Sequence, residues 1–273
     1  MKGSALALAG ALLWLGPVKF RAAAPAAPDP FPRAGHAYLV ALDGAVLWER
    51  AADLPLPPAS LTKVMTALLV LEAGPGPGEW VRTSARAARE TGSRVGLRSG
   101  EELSRGDALA AMLVGSANDA CLALAEHLAG SEAAFVQRMN ARAAALGLLH
   151  TRFRNPCGHD APGHRSSARD LLALTRAALA FPEFSRLVAL ERVTVATRQG
   201  RALAVPTHNQ LLGRMGGVRG VKSGYTSAAG RCLVALADRG GREVLLVLLD
   251  APDRWWTAAA LIEAAFDEAR KRG

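Results

Sequence analysis

The sequence predicts an α/β (α+β) fold in which one sheet is assembled from distant segments, with a helical block inserted between them. Three observations carry that prediction. Short apolar runs with strand character lie near both ends of the chain, and a long Ala- and Leu-rich stretch with helical periodicity fills the middle. The length of 273 residues, half of them hydrophobic and 21% charged, suits one large domain or a domain with a small lobe. Such a layout leaves a cleft between a sheet lobe and a helical lobe, and lobe interfaces are where sites commonly form.

In chain order, His36 to Leu42 and Ala45 to Arg50 read as two strands joined at Asp43-Gly44, a hairpin signal. Pro55, Pro57 and Pro58 then break the chain. From Ala59 to Glu72, the apolar residues Leu61, Val64, Met65, Leu68, Leu69 and Leu71 give a largely buried helix with Ser60 at its start. Gly74-Pro75-Gly76-Pro77-Gly78 ends it. Further helices are expected at roughly 103–114, 117–129, 131–146 and 168–180. Strands return at about 191–197, 218–223, 230–238 and 243–249, and an amphipathic helix from about Asp253 to Arg270 closes the chain. Trp255 and Trp256 are expected to pack that helix on the sheet.

The N-terminus carries its own signal. Lys2 precedes an uncharged apolar run from about Ala5 to Val18, followed by Lys19, Arg21 and an Ala/Pro-rich stretch to Pro32. Residues 1–24 therefore read as a secretory signal peptide or an uncleaved N-terminal anchor, 25–35 as a linker, and 36–273 as the folded domain, with a helical lobe at about 80–190. The apolar run is short of the roughly 20 residues a membrane span needs. An exported protein of the periplasm or cell envelope is expected.

The formal charge of +9 points to anionic surroundings. The sequence has no zinc-ligand spacing, RNA-binding aromatic signature or long basic run, which sets nucleic acid aside. An acidic membrane, a cell-wall polymer and a plain compositional bias remain as readings of the charge. Cys121, Cys157 and Cys232 form an odd set without metal spacing, so no metal is expected, nor any cofactor. Cys121 and Cys232 sit in apolar helix-like and strand-like runs and read as buried free thiols.

Chemistry concentrates in three short patterns. Ser60-Leu61-Thr62-Lys63 sets a serine and a lysine one helical turn apart, so the amine can reach the hydroxyl and act as its base. Alone the pattern is weak: thirteen serines and five lysines give roughly a quarter of a match by chance. Ser116-Ala117-Asn118 follows in a loop between helices, and Lys222-Ser223-Gly224 ends a strand. Lys63 must be neutral to accept a proton, whereas a free lysine titrates near ~10.4. Burial and a second cation lower that value, and Lys222 is the obvious cation. Ser116 can relay the proton to a leaving nitrogen, Asn118 can hold a backbone amide, and Gly224 lets backbone approach closely.

In this order the three patterns resemble the signature of the penicillin-recognising serine hydrolases, and more closely that of the D-alanyl-D-alanine carboxypeptidases, the low-molecular-mass penicillin-binding proteins. Flanking segments extend the likeness: Pro58-Ala59-Ser60-Leu61-Thr62-Lys63-Val64-Met65-Thr66-Ala67, Gly115-Ser116-Ala117-Asn118-Asp119-Ala120 and Gly220-Val221-Lys222-Ser223-Gly224-Tyr225-Thr226. The resemblance runs from about His36 to Phe266. It implies a β-lactamase/transpeptidase-like fold with an antiparallel sheet flanked by helices, and removal of the terminal D-alanine from peptidoglycan stem pentapeptides. It also implies β-lactams as covalent inhibitors. By resemblance, Ser60 is the nucleophile, the backbone N–H groups of Ser60 and Tyr225 form the oxyanion hole, and Ser223 and Arg254 meet the substrate carboxylate.

The sequence departs from the family at two places. Serine replaces the usual threonine in Lys222-Ser223-Gly224, and Cys157-Gly158-His159-Asp160 replaces a histidine- or aspartate-glycine-leucine-aspartate loop. The chain stops after its closing helix, so any membrane attachment is expected from the N-terminal segment. Alternatives are a D,D-endopeptidase cutting cross-links with the same machinery, and a non-catalytic β-lactam or wall-peptide sensor. A class A β-lactamase is disfavoured, because no Glu-x-x-Leu-Asn string lies between Asn118 and Lys222. Asp119 and Glu126 read as helix-start and surface charges, and His159 and His164 as loop residues.

Overall fold

The computed structural model describes residues 29–74 and 79–272. The signal or anchor expected at 1–24, the first part of the linker and the Pro-Gly stretch at 75–78 lie outside those residues. Among the described residues, no helix is long and apolar enough to cross a membrane.

The centre is a five-stranded antiparallel sheet formed by β1 (Ala37–Leu42), β2 (Ala45–Arg50), β7 (Val218–Thr226), β8 (Gly230–Arg239) and β9 (Arg242–Leu249), in spatial order β2-β1-β9-β8-β7. The two ends of the chain meet where β1 pairs with β9, Leu39 opposite Val247. Asp43 and Gly44 both have positive φ, as the two-residue hairpin turn requires. The Ala37–Leu42 run is buried at every position because both sheet faces are covered. Tyr38 and Val40 face α7 (Arg254–Arg272) with Leu261 and Ile262, while Leu39 faces the helical side with Val64 and Leu68.

The segment that carries Ser60 differs in detail from one continuous helix. A 3-10 turn, Ala59–Thr62, precedes α1 (Lys63–Glu72), and Ala59 has φ 49. α1 is buried nearly all round and packs against α2 (Arg105–Val114), α3 (Asn118–Ala129), α4 (Glu132–Ala145) and α5 (Ala168–Leu179), which explains its lack of a polar face. α2 starts at Arg105 rather than 103, because Glu102–Ser104 forms β4 against β3 (Trp80–Arg82). Ser104 then caps α2 by accepting from the Asp107 N–H at 3.0 Å.

The strand expected at 191–197 is not part of the central sheet. It forms β5 (Arg192–Ala196), which pairs with β6 (Ala202–Pro206) as a separate hairpin. β6 and the short α6 (Pro182–Val188) carry too few residues of regular periodicity to stand out in the sequence. Trp255 packs beside the sheet as expected, but Trp256 points outward with 83% of its surface exposed. Neighbouring helix positions differ by about 100° in direction, so both indoles cannot face the sheet.

Cys121 is not a free thiol. It is bonded to Cys157, joining α3 to the loop at 155–160 across a Cα–Cα distance of 5.9 Å. Both residues are buried, and the apolar helical run around Cys121 made it look like an ordinary core thiol. Cys232 is free and buried, and burial pushes its thiol up to about 11.

Candidate active site

The 3-10 turn, the loop before α3 and the edge strand β7 converge on a cleft of about 750 Å³. Ser60, Ser116, Asn118, Ser223, Gly224, Tyr225 and Arg254 all line it. Lys63 and Lys222 lie beneath, almost wholly buried. The residues singled out in the sequence, separated by up to 194 positions between Ser60 and Arg254, thus come together in one place.

Lys63 Nζ lies 3.0 Å from Ser60 Oγ, 2.7 Å from Asn118 Oδ1 and 2.6 Å from the Cys157 carbonyl. Two of these neighbours can only accept. A neutral amine has two N–H groups and one lone pair, so the amide and backbone oxygens take both protons. The lone pair is then left facing the serine. Burial holds Lys63 well below the usual lysine range, the charge of Lys222 lowers it further, and Glu90 and Asp119 act in the opposite sense.

Lys222 Nζ donates to Ser116 Oγ at 2.9 Å and to the Ser223 carbonyl at 2.8 Å. Its value is pushed down to about 7, by burial first and by Arg254 second. As an ammonium it keeps a third N–H for a ligand. Ser116 adopts φ 57, a left-handed conformation uncommon for a residue with a side chain.

Asn118 has less freedom than the sequence suggests. Its oxygen is committed to Lys63, and one amide N–H donates to the Thr91 carbonyl at 2.6 Å. A single N–H is left for a substrate carbonyl. Arg254 opens α7 and uses Nη1 to donate to the carbonyls of Gly224 and Cys232. Its guanidinium lies 4.6 Å from the Trp255 ring centroid, and its Nε is buried without a partner. Burial lowers its value.

β7 is the sheet edge beside the nucleophile turn, and two glycines allow the close fit. A Cβ on Gly224 would stand 2.8 Å from Ser60 N, and one on Gly158 only 2.0 Å from the Ala59 carbonyl. The turn is braced from behind by His164. The Arg154 N–H donates to Nδ1 at 3.0 Å, so the neutral ring carries its proton on Nε2 and donates to Thr62 Oγ1 at 2.8 Å. Thr62 in turn donates to the Ala59 carbonyl. Burial pushes His164 down to about 4, which keeps it in that neutral form.

Several contributors carry no signal in the sequence. The Cys157 carbonyl is backbone, and His208, which lines the cleft, belongs to none of the three patterns. Burial lowers His208, and so do Lys222, Arg254 and Lys63 in that order. Asp119 is a helix-start residue, as expected, but it is buried and accepts from the Gly96 and Leu97 N–H groups at 2.9 and 3.0 Å. It thereby ties the segment that carries Thr91, Gly92 and Ser93 to α3. Asp160 accepts from Thr226 Oγ1 at 2.6 Å and pins the 155–160 loop to the end of β7.

Residues 23–253 match the model of the D-alanyl-D-alanine carboxypeptidase peptidase family. The chain belongs to this family. Among its carboxypeptidase relatives, DacF of Bacillus subtilis is 36% identical over 212 residues, covering 76% of this chain and 54% of DacF. The chain thus spans about half the length of that relative. A D-alanyl-D-alanine endopeptidase of Escherichia coli is 36% identical over 237 residues, covering 84% of this chain and 75% of the endopeptidase. The crystal structure of a Streptomyces DD-transpeptidase superposes with a TM-score of 0.80 at 26% identity, over 86% of this chain and 97% of that one. The fold is therefore that of the DD-peptidase penicillin-binding proteins, as the resemblance implied.

Proposed function

We propose that the protein is a serine D-Ala-D-Ala carboxypeptidase that removes the terminal D-alanine from peptidoglycan stem pentapeptides. The observation that carries this reading is the placement of Lys63 Nζ, with both N–H groups taken by oxygens and the lone pair left to Ser60. Ser60 Oγ attacks the carbonyl carbon of the last peptide bond while Lys63 takes its proton. The oxyanion is met by the N–H groups of Ser60 and Tyr225. Ser116 relays the proton that Lys63 took to the departing D-alanine nitrogen, the C–N bond breaks, and an ester on Ser60 remains for water to hydrolyse. The stem peptide lies along β7, its penultimate residue near the free Asn118 N–H. Its carboxylate meets Lys222, the Ser223 hydroxyl and Arg254. β-Lactams present the same carbonyl and carboxylate and acylate Ser60. No cofactor or metal enters this chemistry.

The wall peptide and the signal-like N-terminus together favour an exported enzyme of the periplasm or cell envelope. Mass spectrometry of the intact protein with benzylpenicillin tests the nucleophile and the mature N-terminus together. A slowly released adduct on the wild type and none on Ser60→Ala is expected. Release of D-alanine from diacetyl-Lys-D-Ala-D-Ala separates the enzyme from a sensor, which would acylate but release nothing. Rapid penicillin turnover would contradict the carboxypeptidase assignment.

A D,D-endopeptidase is the alternative reading, since endopeptidases stand among the relatives beside the carboxypeptidases. Parallel assays on a linear pentapeptide and a cross-linked dimer separate the two, since the dimer needs room for a branched leaving group.

A further inference from the structure

We propose that the Cys121–Cys157 disulfide is a positioning element for the base, holding together the two oxygens that aim the Lys63 lone pair at Ser60. The inference rests on the reading of Lys63 as base given above. Those oxygens, Asn118 Oδ1 and Cys157 O, come from chain segments 39 positions apart. Asn118 opens α3, and Cys121 follows it three positions later on the same helix face. Cys157 contributes its own carbonyl to Lys63, so one bridged residue supplies an acceptor and the other lies one helical turn from the second.

The other anchors of the 155–160 loop lead elsewhere. Asn155 Oδ1 accepts from the N–H groups of Gly158 and His159 at 2.7 and 3.0 Å, which fixes the loop to itself. Thr66 Oγ1 donates to the Pro156 carbonyl at 2.6 Å, tying it to α1, and Asp160 ties it to β7. The bridge supplies its covalent tie to α3, and Cys157 Sγ packs 3.7 Å from the Asn118 carbonyl. A disulfide sulfur carries no proton, so that approach is a packing contact. Both cysteines are buried against the core, where opening the link loosens the wall around Lys63 rather than a surface loop.

The consequence is electrostatic as well as geometric. Charged groups face Lys63 from three sides: Lys222 from β7, Asp119 from α3, and Glu90 from the segment after the 3-10 turn at 87–89. Exclusion of water is the larger influence on it. Loosening the wall admits water, stabilises the ammonium and costs the site its lone pair over a wider pH range.

The test uses the full chain as wild type, Cys121→Ala and the Cys121→Ala/Cys157→Ala double variant, each at a temperature where melting curves show it folded. The rate of Ser60 acylation by benzylpenicillin is followed by intact mass across pH. The unbridged variants should acylate about tenfold more slowly than wild type on the acidic limb of the profile and converge on it as pH rises and Lys63 becomes neutral in either form. Should neither variant fold, wild type reduced by a dithiol, which is oxidised to its disulfide as the bridge gains two electrons and two protons, is compared with untreated protein, with thiol labelling confirming the opened link. A lowered melting temperature with an unmoved acidic limb, or a loss equal at every pH, overturns the positioning role. Absence of any adduct on wild type would overturn the reading of Ser60 and Lys63 instead.

Discussion

The α1 wall and the β7 wall of the cleft each bury one lysine, and they treat it differently. On the α1 wall, Lys63 meets two acceptor-only oxygens, so its neutral form is fully satisfied and points an electron pair at Ser60. On the β7 wall, Lys222 meets one hydroxyl and one carbonyl, and its charged form keeps an N–H to spare. Burial lowers both, but Lys63 also has Lys222 for a neighbour, while Lys222 has Arg254. The same side chain is thus suited to act as a base on one wall and as a cation on the other, according to which atoms take its protons.

The largest expected effects break this contrast outright. Lys63→Met should slow acylation by penicillin by about 10³-fold, within the range of general-base contributions. Lys63→Arg should do no better, because a guanidinium does not give up its proton at accessible pH. Lys222→Arg keeps the charge and should retain much of the activity. Lys222→Met should lose about 10-fold to 100-fold in kcat/KM for the peptide, mostly through KM, since a carboxylate partner is removed. Normal acylation by Lys63→Arg would abolish the distinction between the walls.

A smaller effect lies in the pH profile. Acylation needs neutral Lys63, so kcat/KM should rise with pH through its lowered value. Carboxylate binding needs charged Lys222, so the profile should fall again above about 7 in the free enzyme. Lys222→Arg should push the falling limb to higher pH and leave the rising limb in place. D-Alanine release measured from acid to alkaline pH checks both limbs, and a falling limb that stays put in Lys222→Arg assigns it to another group.

The same contrast explains what could be read from the sequence. The three patterns hold side chains whose chemistry is their identity, so Ser60, Lys63, Ser116 and Lys222 were legible, Arg254 came from the resemblance, and the structure sets them around one cleft. The sheet was legible because β1 and β9 are apolar on both faces and end in turn residues. What decides the protonation of Lys63 was not, because the Cys157 carbonyl is backbone and any residue could supply it. Three cysteines give no pairing from spacing alone, so the Cys121–Cys157 link depended on the fold. β5 resembled a sheet strand because periodicity reports an element and not its partner. Asn118 showed its type but not that its oxygen was already committed.

The smallest effect, in stability, separates the two walls by pH window. Both lysines have folded-state values below the roughly 10.4 of an unfolded chain. Between the folded and unfolded values the unfolded chain binds more protons, so stability increases with pH, by up to about 1.4 kcal/mol per pH unit for each lysine. For Lys222 the window opens at about 7. For Lys63, lowered by burial and by the charge of Lys222, the window opens at its own depressed folded value. Urea midpoints of wild type, Lys63→Met and Lys222→Met, compared from about pH 5 to about pH 9, should diverge accordingly. The Lys222→Met curve should part in slope from wild type only above about 7, and the Lys63→Met curve above the lowered value of Lys63. Parallel curves for all three proteins would mean that neither wall holds its lysine as the geometry requires.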